Sequence, residues 1–241
     1  MSVTLATLKS VLCGASPGDQ GLLQDSSYYA GIAEYINDAV TAIAAGVRMP
    51  DRQVSPPLPD LYLSDTVTTV LATPYVALPA TYQRHLFMVS DSSGVRISPP
   101  RGGGYYSFAL LLRNARLKDL SQEGLVSVVC VKGLNLYYQG IPTAETDITI
   151  NFYRKPVEMV DDTDEVDGLP DHLAKKLIKH HVAKEIFGEG IEDGEDNRGV
   201  GYKFHTAKFF EAMTDLTDHV GIDAEPEYYS SNSFQDLGVC D

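Results

Sequence analysis

Residues 148–187 read ITINFYRKPVEMVDDTDEVDGLPDHLAKKLIKHHVAKEIF. The stretch opens as a strand, DITINFYRKP from Asp147, rich in β-branched and aromatic residues. Near Pro156 the alternation stops, and after the acidic run VEMVDDTDEVDG a helical period takes over. Pro170 stands where a first-turn proline belongs, and Asp171 follows it at the favourable end of the helix dipole. Leu173, Leu177, Ile178, Val182 and Ile186 then form an apolar stripe that predicts a helix ending at Gly188. A sheet therefore hands over to a helix here, which makes the chain α+β. Whether the carboxylates and the His180–His181 pair inside this seam form a site decides between an enzyme and a structural protein.

Toward the N-terminus, LVSVVCVKGLNLYYQG predicts two more strands around a turn at Lys132–Gly133. Proline and turn residues cut the segment from Pro56 to Pro100 into short pieces rich in Val, Thr, Tyr and Leu. Within it HLFMV and GVRIS flank SDSSG as a hairpin. YYSFALLLRNARLKDL, after the RGGG turn, is a short helix or a loop. Before Pro56 the period is helical again. TLATLKSVLCG ends at Gly14, and DSSYYAGIAEYINDAVTAIAAG is capped at Ser26 or Ser27 and ends at Gly46. Tyr29, Ile32, Ala33, Ile36, Val40 and Ile43 share its apolar face.

Beyond Gly188 comes an acidic, glycine-rich loop, GEGIEDGEDNRGVG. YKFHTAKFFEAMTDLTDHVG follows as an amphipathic helix with Phe209, Ala212, Met213 and Leu216 in register, and then an extended tail. The expected organisation is N-terminal helices over 1–55, an inserted small antiparallel β domain over 56–155, C-terminal helices over 156–221 and a tail over 222–241. The two sets of helices are expected to form one bundle.

Composition excludes several classes. The 241 residues are 44% hydrophobic and 22% charged, enough for a substantial core. No apolar run reaches the length of a membrane span, and the N-terminal stretch lacks the pattern of a signal peptide. Cys13, Cys130 and Cys240 form neither a disulfide framework nor a zinc spacing, which suits a reducing compartment. Nineteen basic against 33 acidic residues give a net charge of −14, the opposite of what phosphate binding needs. A like-charged wall that lets DNA pass remains compatible.

The chemical candidates fail on spacing. Counted from Asp162, a calcium loop would need glycine at 167 and glutamate at 173, where Asp167 and Leu173 stand. The acidic run reads instead as a solvated linker. His181 and Glu185 share a helix face, but His180, His181 and Glu185 do not make His-Glu-x-x-His. RGGGYY at 101–106 lacks the lysine and hydroxyl of a phosphate loop, and no Gly-x-Ser-x-Gly occurs. No catalytic, cofactor or metal residues are assigned. Tyrosines come in pairs at 28–29, 105–106, 137–138 and 228–229. In an extended segment one of each pair enters the core and the other faces solvent or a partner.

The succession of pieces resembles the head-to-tail adaptor (connector) proteins of tailed phages. LQDSSYYAGIAEYINDAVTAIAAG resembles their early helix, and LATPYVALPATYQRHLFMV the strand and aromatic-Arg corner after it. The strands closing in FYRKP, the acidic linker and the two last helices continue the likeness, in order, over about residues 1–220. The resemblance implies a structural protein without cofactors. It forms a homo-oligomeric ring, usually a dodecamer, below the portal protein at the virion neck, assembled in the host cytoplasm. The ring extends the DNA channel without binding DNA specifically, stays clear of membranes, and docks tail or neck proteins. It places Arg154 and Lys155 at the sheet-to-bundle junction, in packing or inter-subunit ion pairing. Tyr228, Tyr229, Phe234 and Leu237 of the tail are expected to dock into a groove on a neighbouring subunit or the portal, the alternative being packing back on the chain's own bundle. Two other readings stay open: a metal-dependent hydrolase using His180, His181 and Glu185, and a small ligand-binding module built on the β domain.

Overall fold

The computed structural model describes residues 2–14, 22–23, 31–113, 122–189 and 198–221. The chain divides into two compact units, with the boundaries between Leu61 and Tyr62 and between Arg154 and Lys155.

The helical unit holds α1 (Leu5–Cys13), α2 (Ile32–Ala45), α4 (Asp171–Glu189) and α5 (Arg198–Gly221), with a 3₁₀ turn at Pro59–Leu61. Thr4 caps α1, its hydroxyl accepting the Thr7 N–H at 3.3 Å. The buried face of α2 is Ile32, Ile36, Val40 and Ile43, as the period predicts, with Ala39 and Ala44 added. The described part of α2 follows Gly31, and the cap expected at Ser26 or Ser27 lies outside the described residues. All five stripe residues of α4 are buried, as are Phe209, Ala212, Met213 and Leu216 of α5. Helices α1 and α2 both pack on α4, so segments from the two ends of the sequence share one core.

Two expectations at the α4–α5 connection are corrected. Gly188 does not end α4, which runs on to Glu189, and residues 198–201, read as loop, already belong to α5. The reason is close approach. A Cβ on Gly188 would lie 3.1 Å from the Tyr202 ring, and one on Gly201 would lie 3.2 Å from Phe187. Each glycine makes room for the other helix's aromatic ring, and that packing overrides a poor helix propensity.

The acidic run is also more than a linker. Its carboxylates at 158, 161, 162 and 165 are exposed, but its backbone is bound along α1. Leu5 N–H donates to the Asp164 carbonyl at 2.9 Å, Ala6 N–H to that of Asp162 at 3.0 Å, and Val166 N–H to that of Val3 at 3.0 Å. The first two bonds satisfy N–H groups that the first turn of α1 leaves without helical partners. Asn37 of α2 grips the Met159 backbone from both sides, donating to its carbonyl at 2.9 Å and accepting its N–H at 3.0 Å.

The β unit contains β1 (Tyr62–Thr68), β2 (Tyr75–Ala77), β3 (Tyr82–Asp91), the short α3 (Phe108–Arg113), β4 (Val128–Lys132), β5 (Asn135–Gln139) and β6 (Asp147–Arg154). They form two antiparallel three-stranded sheets, β1-β6-β3 and β2-β5-β4. Ile148, Ile150 and Phe152, one face of β6, meet Val129, Val131, Leu136 and Tyr138 of the second sheet in one core. β4 and β5 join through the two residues Gly133 and Leu134, the glycine at φ 61°. The arm GVRIS makes only bridging contacts beside β3, Ser90 to Arg96 and Ile97 N–H to the Val89 carbonyl, and is not a full strand. At Gly140, φ 76°, a Cβ would run into the carbonyl group of Leu125, so only glycine fits there.

Candidate assembly site

The sequence-predicted candidates fall into three places. Arg154 ends β6, opposite Tyr82 of β3, and Lys155 opens the helical unit, exposed, so the chain changes units between them. Tyr228, Tyr229, Phe234 and Leu237 lie outside the described residues. The histidines lie in the seam of α4 and α5.

That seam has a definite geometry. Nδ1 of His180 is 2.9 Å from Nδ1 of His205, so one ring donates and the other must be neutral to accept. The His205 ring stacks on Phe187, centroids 5.4 Å apart and planes 6° from parallel, while His181 meets the edge of Phe209 at 5.0 Å. Burial lowers the pKa of His180 to about 4, helped by His205 and by Lys179, Lys176 and Lys208. Burial likewise lowers His181 to about 4, with Lys184 pushing the same way, and burial lowers His205. Glu185 pairs with Lys184 at 2.9 Å. Among the described residues no three His, Cys, Asp or Glu side chains are arranged to hold a metal ion. The arrangement is that of neutral imidazoles packed among aromatic rings, not a ligand set.

A second cluster stands on the bulged strand β3, whose register slips between Tyr82 and Met88. His85 there takes a left-handed backbone, φ 54°, a conformation that a non-glycine residue holds only when its surroundings fix it. Tyr106 does the fixing: its hydroxyl accepts the Leu86 N–H and lies 2.6 Å from the Tyr82 hydroxyl. Burial raises the pKa of both phenols and lowers that of His85 to about 4, so all three stay neutral. Of the four tyrosine pairs, 28–29 and 228–229 lie outside the described residues, 137–138 lies in β5 and 105–106 in a turn. Tyr105 and Tyr138 are buried and Tyr137 is half-buried, while Tyr106 leaves half of its surface to solvent but turns its hydroxyl inward to Tyr82 and Leu86.

The acidic strap, residues 157–167, is held in shape by its own side chains. Asp164 accepts the N–H groups of Val160 and Asp161, both at 2.8 Å, which lowers its pKa, and Asp167 accepts that of Val157 at 2.7 Å. The turn leaves Val157 and Val160 pointing to solvent. On α5, Phe204 is likewise exposed, beside His180 at 6.3 Å. Sequence reasoning passed over these three. Their signal was an apolar residue in an acidic run and a phenylalanine off the Phe209–Leu216 stripe.

A family model covers this whole arrangement: that of the SU10 adaptor protein matches residues 4–233. The chain belongs to the SU10 adaptor family. That is a family of phage head-to-tail adaptors, so the resemblance stated from the succession of strands and helices holds. The match runs from the cap of α1 through both units and α5. No curated protein matches the chain in sequence. Membership makes it a structural adaptor of a phage that assembles with portal and tail proteins at the virion neck. Among the described residues no helix is long and apolar enough to cross a membrane.

Proposed function

We propose that this adaptor forms a closed ring below the portal, most simply of twelve copies, which prolongs the DNA channel and gives the tail its docking surface. The observation that carries the reading is the family match across both units, residues 4–233. The charge supports it. At −14 per chain, twelve copies carry about 12 × 14 = 168 negative charges, and an acidic wall repels a polyanion instead of holding it. DNA then passes without specific contacts, and the adaptor needs no catalytic group, cofactor or metal.

In this reading the tail from Ile222 is a docking strip. Tyr228, Tyr229, Phe234 and Leu237 stand among Ser, Asn and acidic residues, and such aromatic anchors suit a groove on a neighbouring copy or the portal. Arg154 and Lys155, where the chain changes units, act in packing or in ion pairs between copies.

The test is electron microscopy and sedimentation of the full chain, alone and mixed with its portal. A ring alone or on the portal is expected, and a chain that stays monomeric in both would overturn the reading. A chain cut after Gly221 should keep its melting temperature yet bind neighbours or portal far more weakly. Unchanged binding, or loss of the fold, would remove the tail from this role.

A further inference from the structure

Two patches of the helical unit are chemically complementary. The first is on the strap, where Val157 and Val160 are 66% and 77% exposed, with the carboxylates of Glu158 and Asp161 beside them. Their exposure is built in, because Asp164 and Asp167 hold the strap's backbone N–H groups and α1 holds its other edge. The second patch is on α5 and α4. Phe204 is 53% exposed, Lys208 lies one turn along the same face of α5, and Lys179 approaches across the seam. Among the described residues Lys179 makes no ion pair and Lys208 pairs only with Glu211, at 2.7 Å. Apolar side chains rimmed by carboxylates on one patch thus face, in composition, an aromatic ring rimmed by ammonium groups on the other.

The end of the strap at Gly168 sits at the opposite end of α5 from Phe204. Val220 lines the small cleft with Gly168 and Pro170 where the strap enters α4. Phe204 stands 16 residues earlier on α5, about 24 Å along its axis.

We propose that copies of this chain join head to tail, the Val157/Val160 patch of one against the Phe204/Lys179/Lys208 patch of the next. The inference rests on the ring reading above and supplies its contact. Two different patches on one rigid unit make a heterologous interface, the kind that closes into a ring. The apolar residues provide the buried centre and the opposite charges set register and encounter rate. A chain at −14 otherwise repels its own copies, so a local basic patch is where a second copy can approach.

The experiment uses the full chain under the conditions in which the wild type forms its ring, alone or on the portal. Lys179→Glu with Lys208→Glu should abolish the ring, as should Glu158→Lys with Asp161→Lys. Combining all four substitutions should restore it. In a Cys240→Ser background, Val160→Cys with Phe204→Cys should oxidise to a ladder of linked copies, with each single variant stopping short of a trimer. Rings that form regardless of either reversal, or a double-cysteine variant that never links, would overturn this contact and leave the ring reading standing. A wild type that never self-associates, alone or on the portal, would overturn both.

Discussion

The helical unit and the β unit bury polar groups in opposite ways. In the β unit the buried polar groups include the phenols of Tyr82, Tyr105 and Tyr138, each anchored to backbone or to another hydroxyl. Tyr138 donates to the carbonyls of Val70 and Tyr75, and Tyr105 to that of Ile97 at 3.0 Å. A phenol keeps its proton through the whole range in which proteins are handled. In the helical unit they are imidazoles, His180, His181 and His205, whose hydrogen bonding and burial require neutral rings. Burial therefore makes the two units unequally sensitive to acid: one lowered imidazole, His85, stands in the β unit against three in the helical unit.

The largest effects come from emptying each core. Phe152→Ala in the β unit and Phe209→Ala in the helical unit each remove a fully buried ring and should cost about 3–5 kcal/mol. Hydrogen exchange read region by region should show each loss falling mainly on its own unit. Equal loss of protection in both units from either change would break the comparison, because it would mean the two cores unfold as one.

Acid sharpens it. His180 and His181 have folded pKa values of about 4 against about 6.5 unfolded, and His205 is lowered as well. A lowered pKa means the folded state favours the neutral ring. The stability this represents is full above about pH 6.5 and is lost as pH falls from there toward 4. Each histidine contributes at most about 1.4 kcal/mol per pH unit, and coupling within the pair reduces the sum. A fall on the order of 2 kcal/mol between pH 7 and pH 5 is expected, with α4 and α5 losing exchange protection first. In the β unit only His85 acts in the same direction. His180→Ala with His181→Ala should lower stability modestly at neutral pH, flatten the acid response and leave assembly intact. An unchanged pH profile in that variant would show that the seam is not the sensor.

The smallest effect belongs to the surface. Lys176 bridges Glu211 at 3.2 Å and Asp215 at 2.9 Å from α4 to α5, with all three side chains substantially exposed. Lys176→Ala should cost less than about 1 kcal/mol, and less again in high salt. A loss comparable to that of Phe209→Ala would mean that the α4–α5 seam is held by charge and not by its core.

Sequence by itself determined the order of elements and their buried faces. Leu173, Leu177, Ile178, Val182 and Ile186 lie in one core because a period of 3.6 allows no other side of α4. Ile148, Ile150 and Phe152 share a face because strand side chains alternate. The α+β class follows from those two periods changing near Pro56 and Pro156, and the succession of pieces carried the family. What the local pattern could not contain was anything made by distant residues. Gly188 and Gly201 stay helical only because Tyr202 and Phe187 need their space. The acidic run becomes a strap only because the first turn of α1 has N–H groups to satisfy. His180 meets His205 across 25 positions of sequence, and Val160 and Phe204 are left exposed by how their surroundings fold, so both features came from tertiary structure alone.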